Sequence, residues 1–158
     1  SKNIISLNKW DGIFLSDSNN NSISNNEFIN DGLSVHYSYG NIVKDNTVNG
    51  KPLVYLEDES DKIIDYAGQI ILVRCKNITV MNAELTNTDV GIELLQSDNC
   101  LNQKTISQTT LMAYPFGIQK IAASQITSSA QITLVYLFCI QAITTYQTIT
   151  SAQTTMMA

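Results

Sequence analysis

Apolar and polar residues recur along the first hundred positions at a fixed long period. Align Gly12 with Gly32 and the two stretches match at an offset of twenty residues. Asp11-Gly12-Ile13 pairs with Asp31-Gly32-Leu33, Ser18 with Ser38, and Asn21 with Asn41. Ile23 pairs with Val43, Asn26 with Asn46, and Phe28 with Val48. A third copy runs from Gln69. There Ile70 and Leu72 fill the slots of Ile13 and Leu15, Asn77 that of Asn20, Val80 that of Ile23, and Leu85 that of Phe28. A fourth opens at Gly91-Ile92-Glu93-Leu94, with Ser97 and Asn99 where Ser18 and Asn20 stand.

Each copy has a short run such as Ile13-Phe14-Leu15, in which alternation implies one buried and one wet face. A turn rich in Ser and Asn follows, then a lone aliphatic, another Asn turn and another aliphatic. Strands this short are not stable as isolated hairpins. Stacked coil on coil, they pair in parallel and share a core. Asn at equivalent turns can bond its counterpart in the next coil and tolerates left-handed backbone. The pattern predicts an all-β, right-handed parallel β-helix over residues 1–102. Ile13, Leu15, Ile23, Phe28, Leu33, Val35, Val43, Val48, Ile70, Leu72, Val80, Leu85, Ile92 and Leu94 should point into one shared core. Disordered Asn-rich sequence would not keep its aliphatics in register, and the leucine-rich repeat pattern is absent.

Residues 51–68 break the period and read as one irregular coil. Lys51 to Leu56 predict a strand, Glu57-Asp58-Glu59-Ser60-Asp61 an exposed acidic loop, and Ile63-Ile64 a return to the core.

The stretch Gly12-Ile13-Phe14-Leu15-Ser16-Asp17-Ser18-Asn19-Asn20-Asn21-Ser22-Ile23-Ser24-Asn25-Asn26 resembles the repeat of NosD-type proteins. These belong to the wider class of carbohydrate-binding proteins and sugar hydrolases with the pectin-lyase-like fold. The stretch from Asn49-Gly50-Lys51-Pro52-Leu53 through Asn77-Ile78-Thr79-Val80 is similar to coils of archaeal and bacterial surface proteins of that class. The resemblance implies a fragment of an exported or cell-surface β-helix protein, structural or carbohydrate-binding, whose partner is a polysaccharide or surface glycan. A polysaccharide lyase or glycoside hydrolase with its catalytic coils elsewhere is an alternative. A periplasmic copper-site maturation factor is another, although Met81 is the only Met before Met112 and no His cluster accompanies it.

Composition changes at Gln103. From there to Ala158 the 158-residue chain has no Asn, Asp or Glu. A coding sequence written for the repeat-like Gly-Asn-Asn-Asn-Leu-Ser-Asn-Asn-Asn-Ile-Ser-Ala-Asn-Asn-Asn-Asp-Gly yields Ala142 to Ala158 in full when read one base later. One written for Ile-Ser-Asn-Asn-Thr-Tyr-Gly yields Ser107 to Ala113. Residues 103–158 are therefore expected to be further β-helix read out of frame, giving a truncated solenoid with a makeshift β tail; a separate Thr/Gln-rich domain is the alternative.

The net charge of −5 argues against a nucleic-acid partner, which calls for a basic patch. The apolar run Leu134 to Ile143 is too short to span a bilayer. Two sequons, Asn20-Asn21-Ser22 and Asn77-Ile78-Thr79, fit an exported chain.

No complete catalytic set is visible. Asn87-Thr88-Asp89 matches one motif of the polygalacturonase-like glycosidases, but the companion motifs are missing, and a turn before the Gly91 strand is the simpler reading. His36 reads as an outer-face residue. Asp11 and Asp31 should sit on adjacent coils with Asp17 near their strand, an oxygen set that suits calcium; alternatively, Asp before Gly caps a turn. A β-helix presents side chains at coil spacing, about 4.8 Å. Trp10, Tyr37, Tyr39 and Tyr55 are the candidates to stack on sugar rings from such a face, with core positions as the alternative.

Overall fold

The computed structural model describes residues 2–103 and the backbone of strands over 106–107, 110–114 and 121–122. Among the described residues every regular element is a strand. The first stack holds β1 (Ile4–Ser6), β2 (Ile13–Ser16), β3 (Ser22–Ser24), β4 (Glu27–Ile29), β5 (Leu33–His36), β6 (Ile42–Lys44) and β7 (Thr47–Val48). β2 lies parallel on β5, with Ile13 opposite Leu33 and Leu15 opposite Val35. β3 lies on β6, with Ile23 opposite Val43. β1, β4 and β7 align Ile5 with Phe28 and Phe28 with Val48. The positions matched by the sequence repeat are thus the positions that stack.

The turns explain the Asn content. Asn20, Asn25, Asn30, Asn77, Asn82 and Asn99 all have positive φ, a region where Asn is enriched because its short side chain bonds locally. Other Asn side chains bond across coils. Asn3 Nδ2 donates to Asn26 Oδ1 (2.8 Å), Asn26 Nδ2 to Asn46 Oδ1 (3.0 Å), and Asn21 Nδ2 to Asn41 Oδ1 (3.2 Å).

At Asn49-Gly50 the chain turns back. β8 (Lys51–Glu57) pairs with β7 antiparallel, with Val48 opposite Lys51. Asn49 and Gly50 have φ of 50° and 76°, and positive φ at both centres marks the two-residue hairpin turn whose twist suits its strands. Residues 51–68 are therefore not a looped coil of the first stack. They found a second stack, in which β9 (Ile63–Asp65), β10 (Gln69–Val73), β11 (Thr79–Met81), β12 (Glu84–Leu85) and β13 (Val90–Leu95) follow. Here Val54, Ile70 and Ile92 align, as do Leu56, Leu72 and Leu94. β14 (Cys100–Gln103), β15 (Ile106–Ser107), β16 (Thr110–Tyr114) and β17 (Ile121–Ala122) extend it in parallel, with a register irregularity where β13 meets β16. The rest of the 103–158 tail lies outside the described residues.

The reversal replaces the expected single core with two. Ile70, Leu72, Val80, Leu85, Ile92 and Leu94 line one. Phe28, Leu33, Val35 and Val48 line the other, with Ile13, Leu15 and Val43 packed against it, and Ile71, Val73 and Leu95 reach into it from the second stack. The β8–β10–β13 sheet therefore has a core on each face. Within the irregular stretch, Ile64 is buried but Ile63 is exposed, as strand alternation requires. The acidic segment hugs the stack through a parallel bridge from Ser60 to Lys76.

The second stack also closes the top of the first. In the lower coil, Ile13, Asn20 and Asn21 donate their amides upward to Gly32 O, Tyr39 O and Asn41 Oδ1. Their counterparts one coil on, Leu33, Gly40 and Asn41, have no coil above. Leu33 N donates instead to Gln69 Oε1 (3.0 Å), Gly40 N to Glu57 Oε1 (2.7 Å), and Asn41 N to Glu57 Oε2 (3.2 Å). Val35 N, between them on β5, donates to Glu93 Oε1 (3.0 Å). Side chains take the place of a missing strand, so buried backbone donors keep their partners.

Candidate functional site

Two features stand out, an aromatic ledge and a carboxyl cluster, both at the β2–β5 face. Alternation turns Ile13 and Leu15 inward and Phe14 outward, where it is 55% exposed. On β5, His36 faces the same way. The Phe14 and His36 rings are stacked with centroids 6.5 Å apart at 23°, and His36 meets Tyr37 edge-on at 4.1 Å. Trp10 lies just before β2 and is 76% exposed. Of the four aromatics expected to face a ligand, Trp10 and Tyr37 are presented to solvent.

Tyr39 and Tyr55 are placed differently. Both pack against the core of the first stack. The Arg74 guanidinium sits 4.8 Å from the centre of the Tyr39 ring and bonds both Glu57 and Asp58. The Tyr55 hydroxyl donates to Glu57 Oε2 at 2.8 Å, and burial followed by that carboxylate raises its pKa. These two rings anchor the joint between the stacks. Phe14 and His36 join the ledge instead. Phe14 could have been found from its sequence, because an aromatic at an outward position of an alternating strand is an exposed apolar surface.

The carboxylates divide in the same way. Asp17 is exposed, at a φ of 47°, and stands apart from the others with Ser16 Oγ as its partner (3.3 Å). Asp31 is fully buried. Its Oδ2 accepts Asn8 N (2.9 Å) and Asn8 Nδ2 (2.7 Å), while Oδ1 has no hydrogen-bond partner. Asp11 Oδ1 accepts the hydroxyl of Ser34 (2.7 Å), a residue of the same β5 face. Asp89 comes from the turn before β13, where its tripeptide was expected. Its pKa is raised by burial and then by Asp11 and Asp31, and its Oδ2 is unpaired. Glu93 lies fully buried beyond it, its carboxyl pushed up to about 8 by burial.

The structure does not gather Asp11, Asp17 and Asp31 into the oxygen set expected from their places on adjacent coils. Asp17 bonds Ser16 at the far end of β2 from Asp11, and Asp31 gives one oxygen, Oδ2, to Asn8. Among the described residues no group of three acidic, His or Cys side chains is placed to hold a metal ion. The missed member of the set is Asp89, brought to Asp11 and Asp31 by a contact between stacks that the repeat pattern does not encode. Among the described residues no helix is long and apolar enough to cross a membrane.

A family model described as the right-handed β-helix region matches residues 1–111. The chain belongs to the right-handed β-helix family. No curated protein and no solved structure matches this β-helix. The family match spans both stacks and runs past the expected boundary at residue 102.

Proposed function

We propose that this β-helix is an exported or cell-surface protein that binds a glycan through the aromatic ledge of Trp10, Phe14, His36 and Tyr37. The observation that carries the reading is the run of rings Phe14, His36 and Tyr37 across β2 and β5, with Trp10 exposed just before β2. Aromatic rings offer large apolar area on few rotatable bonds. Asp17, Ser16 and Asn19 stand nearby in sequence as partners for hydroxyls. The ledge rests on paired strands, so ordering it costs little.

Isothermal titration and array binding against neutral and uronic-acid oligosaccharides test the reading. Wild type should bind at least one class. Trp10→Ala and Tyr37→Ala should each weaken it about tenfold or more, the size of one anchor contact of 1–2 kcal/mol. Neither substitution should change thermal stability by more than about 0.5 kcal/mol, because both rings are exposed. Equal binding by wild type and both variants would overturn the proposal. Reducing-end assays on the same oligosaccharides should show no release. Release that is lost in Asp89→Asn would instead assign hydrolysis to the Asp11–Asp31–Asp89 cluster, where a carboxyl that keeps its proton could act as an acid.

A further inference from the structure

We propose that the seam between the two stacks is a proton-dependent joint, closed while Asp89 and Glu93 hold their protons and loosened as these two ionise. The seam is where β5 of the first stack meets β13 and the turn before it. Four carboxyls come from the elements that line it: Asp11 from the turn before β2, Asp31 from the turn before β5, Asp89 from the turn before β13, and Glu93 from β13 itself. Asp31 and Glu93 are fully buried. Asp31 and Asp89 each carry a buried oxygen with no partner.

The charges acting on these groups have one sign. Asp89 is acted on by Asp11 and Asp31, and Glu93 by Asp11. β5 contributes the Val35 amide to Glu93 and the Ser34 hydroxyl to Asp11. β10 contributes Gln69, which is uncharged. Its Oε1 accepts Leu33 N, and its Nε2 donates to Leu33 O (2.7 Å) and Val90 O (2.9 Å). At Asp89 and Glu93, burial first and then these negative neighbours favour the protonated form.

The consequence for the fold follows from where Glu93 points. Its carboxyl receives the upward amide of Val35, which a further coil would otherwise have taken. Neutral, it can sit buried with that amide at small cost. Ionised, it is a buried charge with one backbone donor and a like charge beside it, which is expensive. Separating β5 from β13 hydrates it. The same separation uncovers the top edge of β5. Both raised groups bind more protons in the closed seam than in the open one. The closed state is therefore favoured at pH below the ordinary carboxylate range and loses ground as pH rises toward 8.

Amide exchange on the whole chain tests this, read at Leu33 and Val35 with Phe28 as an internal reference and corrected for intrinsic pH dependence. For one group titrating in the closed state, relative protection should fall about tenfold per pH unit between the unfolded carboxylate value and about 8. In Glu93→Gln, which keeps an acceptor for Val35 N, the fall should be largely lost, and in Glu93→Gln/Asp89→Asn it should vanish. An equal fall in wild type and double variant, or no fall in wild type, overturns the proposal. If the variants do not fold, carbon-13 titration of the Glu93 carboxyl in wild type decides. A midpoint well above the usual carboxylate range supports the joint, and an ordinary midpoint overturns it.

Discussion

In β2 and β3 of the first stack, exposed and covered positions alternate, whereas β10 and β13 of the second stack have no exposed residue at all. Both sets of strands descend from one repeat. The difference lies in how many faces are covered. β2 has a core beneath it and solvent outside, so Ile13-Phe14-Leu15-Ser16 alternates. β10 has its own core beneath and the first stack outside, so Gln69-Ile70-Ile71-Leu72-Val73 is nearly continuous in apolar character. Strands buried on both faces are expected to read that way. The polar exceptions at these positions, Gln69 and Glu93, sit where a backbone edge of the first stack needs partners. A solenoid can therefore end a stack without a dedicated cap, provided another stack supplies side chains of suitable length.

The contrast is easiest to break at Ile71. In an uninterrupted solenoid Ile71 would be an outward position, and Ile71→Asp would cost no more than about 0.5 kcal/mol. Here it points into the first core, so the substitution buries a carboxylate among Phe28, Leu33 and Val35. The expected loss is several kcal/mol, enough to unfold a marginal domain. Phe14→Asp, at an outward position of β2, should cost far less. Urea midpoints of the two variants measure the comparison.

A smaller loss is expected at Gln69. Gln69→Leu keeps the volume but strips partners from Leu33 N, Leu33 O and Val90 O. Each buried orphan costs about 1–3 kcal/mol before relaxation. Gln69→Glu should lie between wild type and leucine at low pH, where a protonated carboxyl both accepts and donates, and should lose stability as pH rises and a buried carboxylate faces Leu33 O and Val90 O. Chemical denaturation of the three proteins sharpens the comparison by separating cap bonding from core volume.

The smallest effect belongs to the acid limb. Asp58, bonded by Arg74, and Asp61, bonded by Asn77, have pKa values held below the ordinary carboxylate value. A lowered folded pKa gives stability that is present above the unfolded value and lost as pH falls through the folded one. Glu93 and Asp89 act with the opposite sign. The pH–stability profile should therefore fall on both sides, with the alkaline side larger because Asp58 and Asp61 are exposed and screened. Asp58→Asn should flatten the acid side slightly and leave the alkaline side unchanged in thermal melts across pH.

The period, the strands and the inward positions of each copy were legible in the sequence, because stacking demands that like residues meet like. Ile13 over Leu33 and Ile70 over Ile92 follow from spacing alone. The reversal was written at Asn49-Gly50, the strongest short hairpin signal there is. The twenty-residue period masked it, since Asn49-Gly50 also fits one of the repeat's Asn turns. Contacts between stacks left no such trace. Neither the meeting of Asp89 with Asp11 and Asp31 nor the capture of Tyr39 and Tyr55 by Arg74 and Glu57 has a sequence period. Trp10 and Tyr37 were legible because each lies on the face its own strand or turn already defines. Phe14 was equally legible, since the alternation of Ile13-Phe14-Leu15 turns it to the wet face.

The central claim is that the first stack ends at Leu33–Val48 and is closed by side chains of a second stack running from a reversed strand. The most direct measurement is scalar coupling across the hydrogen bond of the Leu33 amide in a labelled sample. The account predicts a coupling to the side-chain amide carbonyl of Gln69, with none to a backbone carbonyl of the 51–57 strand. A coupling from Leu33 to a backbone carbonyl in that strand would show one uninterrupted solenoid and would contradict it.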